Sequence, residues 1–254
     1  MTRNIGRPTD GKLIKRPQEQ VDEILSKVSN TVVLKNFMSR SDRNILLDIY
    51  HNNKNRDHKN TGPTTLIARE FKDDPKFTKI FNKIQTKLEL KLKVWGGNFF
   101  ETETPYVIHN DVDYRHDIIP AKCIVIPLQK FYMENSVVND KDAQFYIFDQ
   151  MFFHAPVKCF KNAKDIKNFY NWPLYDYTDV YGLHKDNRKP DINISHFDEK
   201  YPQWCEGFSV ESACNWVPGD VIVFDCVRLH CASNFLDNGV SKKIGLSLFT
   251  SFDK

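Results

Sequence analysis

The second half of this chain is built from short apolar runs, each closed by turn residues, with no long helical pattern between them. From about residue 94 onward the runs are NFFETETPYVIH, CIVIPLQ, AQFYIFDQM, GFSVESACNW, VIVFD and KIGLSLFTSF. Stretches rich in Val, Ile, Phe and Tyr, bounded by Gly, Pro, Asn and Asp, are strands. Many such strands without the crossover helices that parallel sheets need predict an antiparallel sandwich or barrel.

The first third reads differently. In QVDEILSKV (20–28), Val21, Ile24, Leu25 and Val28 recur at helical spacing. A short β-like run, TVVLKNF, precedes an N-cap signal at Ser41-Asp42, and RNILLDIYHNN then reads as a helix to about residue 52. HNNKNRDHKNTGP is a polar connector, and a helical pattern follows from Thr65 to about residue 90, interrupted at Asp74-Pro75. Ile24, Leu46, Ile80, Phe81 and Ile84 are expected to be buried where these helices cover the β core. The chain is thus expected to be mostly β with N-terminal helices. It reads as a single domain over 1–254, with an arm and helical support at 1–93 and the β core at 94–254. Residues 155–207 form a long, irregular insertion containing Phe160, Tyr170, Trp172, Tyr175, Tyr177, Tyr181 and Trp204. Loops of this length in a compact domain are usually lids or binding loops, and these aromatics either meet a substrate or pack the loop down.

Charge and cysteine narrow the class. The 41% hydrophobic content supports a full core, and 27% charged residues is ordinary for a globular chain. No apolar run approaches the ~20 residues of a membrane span. The start, MTRNIGRPTDGKLIKRP, has charge but no apolar stretch, so no secretory signal is expected. Cys123, Cys159, Cys205, Cys214, Cys226 and Cys231 show no CxxC pair, as expected for reduced, packed thiols of a cytoplasmic protein. The net charge of +3 is uneven: residues 1–94 carry 20 Lys/Arg against 11 Asp/Glu. The lysines are dispersed, which favours a solvated helical surface over a nucleic-acid face.

Three pieces carry the chemistry. His109-Asn110-Asp111 ends one apolar run, Pro218-Gly219-Asp220 opens VIVFD, and His230 follows on the returning segment. If TPYVIHNDVD is a strand entering a turn, His109 and Asp111 project to one side, two residues apart. Asp113 lies on the same face and competes for the role. Two imidazoles and one carboxylate on one face of a metal leave positions open, which suits non-haem Fe(II) that must hold a chelating co-substrate and O2 together. The remaining histidines (His116, His154, His184, His196) have no comparable setting.

The last run supplies a partner for such a co-substrate. In SKKIGLSLFT, Ile244, Leu246 and Leu248 form one face, and Lys243, Gly245, Ser247 and Phe249 the other. If the apolar face meets the helices, Lys243 points into the core, where an ammonium is costly unless paired. A dicarboxylate would pair it, Ser247 adds a hydroxyl donor, and Gly245 leaves room. Lys242 takes this role instead if the strand is turned over.

This order of HxD, PGD turn, distal His and basic residue on the last strand resembles the Fe(II)/2-oxoglutarate-dependent dioxygenases. The likeness is nearest to their prolyl-hydroxylase-like and phytanoyl-hydroxylase-like branches. It covers roughly residues 31–254. It implies a double-stranded β-helix (jelly roll) backed by helices. It also implies Fe(II) held by His109, Asp111 and His230, with Lys243 on the far carboxylate of 2-oxoglutarate. The activity implied is hydroxylation of a substrate with O2, releasing succinate and CO2, and the insertion at 155–207 stands where that family covers its substrate. The chain departs from the family in having Lys where most members have Arg, and no Arg-x-Ser triplet. Leu236-Asp237-Asn238-Gly239 forms an extra turn before Lys243. Two other expectations remain: a cupin-like binding protein or isomerase using the metal without oxygen chemistry, and an oxygenase whose substrate is nucleic acid held by the basic N-terminal part. The substrate is open among small molecule, protein side chain and nucleic acid, and so is the oligomeric state.

Overall fold

The computed structural model describes residues 15–53, 57–59, 65–68, 71–106, 108–113, 115–139, 141–156, 180–185, 190–192 and 207–252. Among them, ten strands form two antiparallel sheets. The strands are β1 (Val32–Leu34), β2 (Asp57–Lys59), β3 (Thr65–Ala68), β4 (Leu92–Thr102), β5 (Pro120–Tyr132), β6 (Gln144–Met151), β7 (Val210–Asn215), β8 (Val221–Asp225), β9 (Arg228–Ala232) and β10 (Val240–Phe252). The larger sheet has the order β1-β8-β5-β10-β4-β3-β2, and the smaller β7-β6-β9. Consecutive strands β8 and β9 lie in different sheets, so the two residues Cys226-Val227 carry the chain from one layer to the other.

Period-two alternation sorts side chains between two cores. Cys123 and Val125 of β5 and Ile222 and Phe224 of β8 face Phe145 and Ile147 of β6 and Cys214 of β7, which is the interior between the sheets. Their neighbours Ile124, Ile126, Val221 and Val223 face outward with Ile244, Leu246 and Leu248 of β10. That outer face shares one buried cluster with Leu46 and Tyr50 of α2 (Arg40–Asn52) and Phe77, Ile80, Phe81 and Ile84 of α3 (Pro75–Leu88). Ile24 of α1 (Gln18–Leu25) is buried elsewhere: it packs with Val21 against Val112, Ile119, Met151, Phe153 and Val227.

Several local expectations need correction. The helical pattern from Thr65 is helix only from Pro75; Thr65–Ala68 pairs with β4, and β2 lies within the expected polar connector. Pairing with a sheet edge overrides weak helical spacing there. The N-cap of α2 is Ser39, whose Oγ accepts from Asp42 N at 3.0 Å, not the Ser41-Asp42 pair. Arg16, in the expected N-terminal arm, is buried, and its guanidinium donates to Phe153 O (3.0 Å) and Ile118 O (3.1 Å). Most of the 155–207 insertion, Cys159, Cys205 and His196 lie outside the described residues. Cys123, Cys214, Cys226 and Cys231 are buried and form no disulfide among the described residues. No described helix is long and apolar enough to cross a membrane.

Candidate metal centre

The segment that carries the first two predicted ligands is not a continuous strand. β4 stops at Thr102, and Pro105, which cannot donate a ladder hydrogen bond, follows in the break. His109 alone rejoins the sheet structure, as an isolated antiparallel bridge to His230. Its backbone N–H donates to His230 O at 3.0 Å, and His230 N–H donates back to His109 O at 2.8 Å. Beyond it, Asp111 N–H donates to Cys226 O at 3.1 Å. The loop is therefore hung from β9 and from the β8–β9 turn.

These attachments bring His109, Asp111 and His230 together, with one ligand-type atom from each within 4.8 Å of the others. His230 Nε2 lies 3.2 Å from Asp111 Oδ2, and His109 Nε2 lies 3.8 Å from Asp111 Oδ1. The two imidazole centroids are 4.1 Å apart. His230 Nδ1 sits 3.0 Å from Arg228 O. A carbonyl only accepts, so Nδ1 carries a proton, and Nε2 is the ring nitrogen turned to the Asp111 carboxylate, where a metal would take the place of the proton that the two share. Phe224 and Phe145 wall the His230 ring at 4.8 and 5.2 Å between centroids, and Tyr106 meets His109 edge-on at 4.6 Å. Burial pushes the Asp111 carboxyl up. The charges of His230 and His109 and hydrogen bonds from His230 and Cys123 outweigh it and hold the group below the usual carboxylate range. Burial, followed by the Asp111 charge, pushes the Tyr106 phenol and the Cys123 thiol up, so both stay protonated at neutral pH.

Asp113 is not in the cluster. Its two carboxylate oxygens accept from Arg115 Nε at 3.0 Å and Nη2 at 2.9 Å. His116 and His154 belong to a separate contact, with His116 Nε2 at 3.2 Å from His154 O, and His184 Nε2 lies 3.3 Å from Ser209 Oγ.

The last strand divides as its alternation requires. Lys242 stays at the surface, with Nζ 3.0 Å from Glu101 Oε1 and over the Phe131 ring. Lys243 is 2% exposed and faces the interior. Its ammonium stands 4.5 Å from the Trp216 ring centroid and 4.3 Å from that of Phe235, and among the described residues no carboxylate pairs with it. Burial, then repulsion from Lys130, pushes its pKa down to about 7. Lys130, directly across the β5–β10 ladder, is matched to Asp142 at 2.7 Å. The same ladder sets Phe249 opposite Cys123, Ser247 opposite Val125 and Gly245 opposite Pro127. Cys123 Sγ is 3.2 Å from Asp111 Oδ2. Going inward from the metal cluster, the order is therefore Phe249, Ser247, Gly245, Lys243. A Cβ on Gly245 would stand 2.7 Å from both Phe100 and Trp216, so the strand and the indole meet only because that side chain is missing. Trp216 is fully buried, and its Nε1 has no hydrogen-bond partner among the described residues.

Residue-type reasoning did not assign roles to Asn110, Cys123, Trp216 or Phe235. Asn110 points away from the cluster, and its Nδ2 donates to Phe152 O (2.8 Å) and Ala155 O (3.2 Å), which fixes the loop between the two ligand positions. The sequence marks Cys123 only as one of the expected packed thiols. Nothing in the local sequence marks Trp216 or Phe235 as neighbours of Lys243.

No family model and no curated protein matches the chain. Solved structures do. The crystal structure of the non-heme alpha ketoglutarate dependent carbocyclase SnoK from nogalamycin biosynthesis matches at 12% identity and a TM-score of 0.50, over 97% of this chain and 88% of that one. The non-heme alpha ketoglutarate dependent epimerase SnoN matches at 9% identity and 0.49, over 93% and 84%. A Pseudomonas putida prolyl-4-hydroxylase matches at 11% and 0.45, over 93% and 98%. At these identities the likeness is one of fold. The chain has the fold of that alpha ketoglutarate dependent carbocyclase, SnoK.

Proposed function

We propose that this chain is an Fe(II)- and 2-oxoglutarate-dependent oxygenase that hydroxylates its substrate. The observation that carries the reading is the pairing of a two-His, one-carboxylate cluster with a buried, unmatched ammonium on the interior face of the last strand. The donor set fits Fe(II): two imidazole nitrogens and a carboxylate oxygen, with Nδ1 of His230 already committed to a carbonyl. The interior fits a dicarboxylate, because among the described residues the Lys243 ammonium faces two aromatic rings and no paired carboxylate, and the Trp216 N–H lacks a hydrogen-bond partner. A metal site that takes no anionic co-substrate does not itself call for that buried cation.

His109, Asp111 and His230 would hold the metal, and Lys243 the far carboxylate of the co-substrate, with Ser247 on the path between them. When bound, iron and 2-oxoglutarate supply the oxidising chemistry, in which O2 is consumed, succinate and CO2 leave and one oxygen atom goes to the substrate. The chain's own part is to orient and to exclude water: Phe145, Phe224 and Tyr106 wall the ligand rings, while Trp216 and Phe235 hold the ammonium. We read residues 1–254 as one catalytic domain, with the 155–207 insertion covering the substrate.

The test is an anaerobic titration of the protein with Fe(II) and then 2-oxoglutarate, followed by O2. A charge-transfer absorption on adding 2-oxoglutarate, and succinate release on adding O2, are expected. Iron binding with neither signal overturns the co-substrate assignment, and no iron binding overturns the reading as a whole.

A further inference from the structure

The ligand loop is tied to the protein asymmetrically. Its backbone bonds run to β9 and to the β8–β9 turn, through His109, His230, Asp111 and Cys226. None of them touches the Asp111 carboxylate. That group is flanked by His230 Nε2 at 3.2 Å from Oδ2, and His230 belongs to the smaller sheet. Its contact with the larger sheet is Cys123, on β5, whose Sγ donates to Oδ2 at 3.2 Å. Cys123 is fully buried and sits on a strand paired on both sides, opposite Phe249 of β10 and Phe224 of β8. The donor therefore has almost no freedom to move.

We propose that Cys123 is a positioning residue for the metal centre: its thiol fixes the rotation of the Asp111 carboxylate and so sets how that ligand is presented. A carboxylate has two oxygens and swings easily between one-point and two-point coordination. A facial site that must leave room for a chelating co-substrate and O2 needs the one-point mode. A donor on one oxygen occupies a lone pair and holds the plane of the group. Partners of this kind typically change metal affinity 10- to 100-fold when removed, and a thiol, a weak donor, belongs at the low end. The inference rests on the metal assignment above, and its consequence is specific to this chain: the group that steadies the carboxylate is a thiol from the opposite sheet.

The test uses the full chain and three substitutions. Cys123→Ser keeps a donor, Cys123→Val keeps the packing and removes the donor, and Cys214→Ala removes a second buried thiol of the same core. Each is titrated with Co(II) and with Fe(II) under anaerobic conditions, and the ligand-field spectrum of the Co(II) form is recorded. Cys123→Val should bind about 10-fold more weakly, with a spectrum shifted toward higher coordination number. Cys123→Ser should stay within about threefold of the parent with an unchanged spectrum, and Cys214→Ala should behave like the parent. If Cys123→Val binds as the parent does with the same spectrum, or if Cys123→Ser and Cys214→Ala lose as much as Cys123→Val, the positioning role is wrong and only packing is at work. A parent protein that binds neither ion removes the metal assignment itself, a different outcome. Circular dichroism of each variant confirms that the comparison is between folded proteins.

Discussion

His109 and His230 face each other across an antiparallel bridge and exchange both backbone hydrogen bonds, at 3.0 and 2.8 Å. The geometry of the two imidazoles is thereby set by main chain, not by side-chain packing alone. Asp111, two residues on, is placed by the same bridge and by its own bond to Cys226 O. His109→Ala, Asp111→Ala and His230→Ala should each weaken Fe(II) binding by more than about 100-fold, beyond the 10- to 100-fold typical of a supporting partner. Asp113→Ala should leave iron affinity within about threefold of the parent, because its carboxylate is engaged by Arg115. Anaerobic calorimetric titration separates the two carboxylates, and loss of affinity in Asp113→Ala with none in Asp111→Ala would reverse the assignment.

Lys243 and Lys242 are neighbours in sequence and opposites in setting. Truncating one partner of a desolvated charge pair costs about 2–5 kcal/mol, and each 1.4 kcal/mol is about tenfold in affinity. Lys243→Ala should raise the apparent constant for 2-oxoglutarate at least about 10-fold. Lys242→Ala should leave it unchanged, since that ammonium pairs with Glu101 at the surface. The Lys243 ammonium, pushed by burial down to about 7, is charged below that pH and neutral above it, so 2-oxoglutarate should bind more weakly as pH rises through neutrality. Stability runs the other way. The unfolded chain holds this proton up to about pH 10.5 and the folded one only to about 7, so stability rises with pH across that window. Lys243→Met should therefore raise the melting temperature more at about pH 6 than at about pH 9. Thermal scans at both values, without co-substrate, check the sign.

The parts legible in the sequence are those governed by strict local periodicity. Alternation in KIGLSLFTSF separates Ile244, Leu246 and Leu248 from Lys243, and the structure places the first three in the outer cluster and the lysine inside. Three- and four-residue spacing reads the helix that contains Phe77, Ile80, Phe81 and Ile84, but the reading starts it at Thr65 and takes Asp74-Pro75 as an interruption, where the structure begins α3 with the Asp74 side chain capping Lys76 N at 2.7 Å. What was hidden depends on partners distant in sequence. Thr65–Ala68 is a strand because β4 is available to pair with it, not because of its own composition. His109 and Asp111 converge although their segment is not a strand, because β9 and Cys226 hold it. The contact from Cys123 to Asp111 crosses between the two sheets, and no local pattern encodes it.

The outer face of the larger sheet makes a second kind of prediction. Leu46 and Ile84 are fully buried where α2 and α3 meet Ile124, Ile126, Leu246 and Leu248. Leu46→Ala and Ile84→Ala should each cost about 2–5 kcal/mol, with iron affinity of the folded protein retained, because the cluster lies on the opposite side of the sheet from the metal. A chain beginning at Lys93 would expose this whole apolar face and should aggregate or fail to unfold cooperatively. Urea melts and light scattering test both, and a soluble, cooperatively folded chain from Lys93 would show that the helices are dispensable.

Lys122 and Asp225 form an ion pair directly across the β5–β8 ladder, each about 95% buried. Asp225 also accepts from Ser29 N at 3.1 Å and lies 3.6 Å from Arg228 Nε, while Lys122 Nζ donates to Ser29 Oγ at 2.8 Å. The carboxylate thus compensates two cations and anchors the segment between α1 and β1. Breaking a buried pair from one side strands a charge and costs about 3–5 kcal/mol, whereas replacing both members with apolar groups is often near neutral. Asp225→Asn should therefore lower stability by about 3–5 kcal/mol, and the double change Lys122→Met with Asp225→Leu by much less. Arg228 keeps the double variant from full neutrality, because its guanidinium then relies on Phe148 O at 3.3 Å, Ser29 O at 3.4 Å and the exposed Asp149 at 3.8 Å. Denaturant midpoints of Lys122→Met, Asp225→Leu and the double variant measure the coupling directly. A double variant as unstable as the sum of the singles would mean that the two charges act independently, and that the network serves only to hold Ser29.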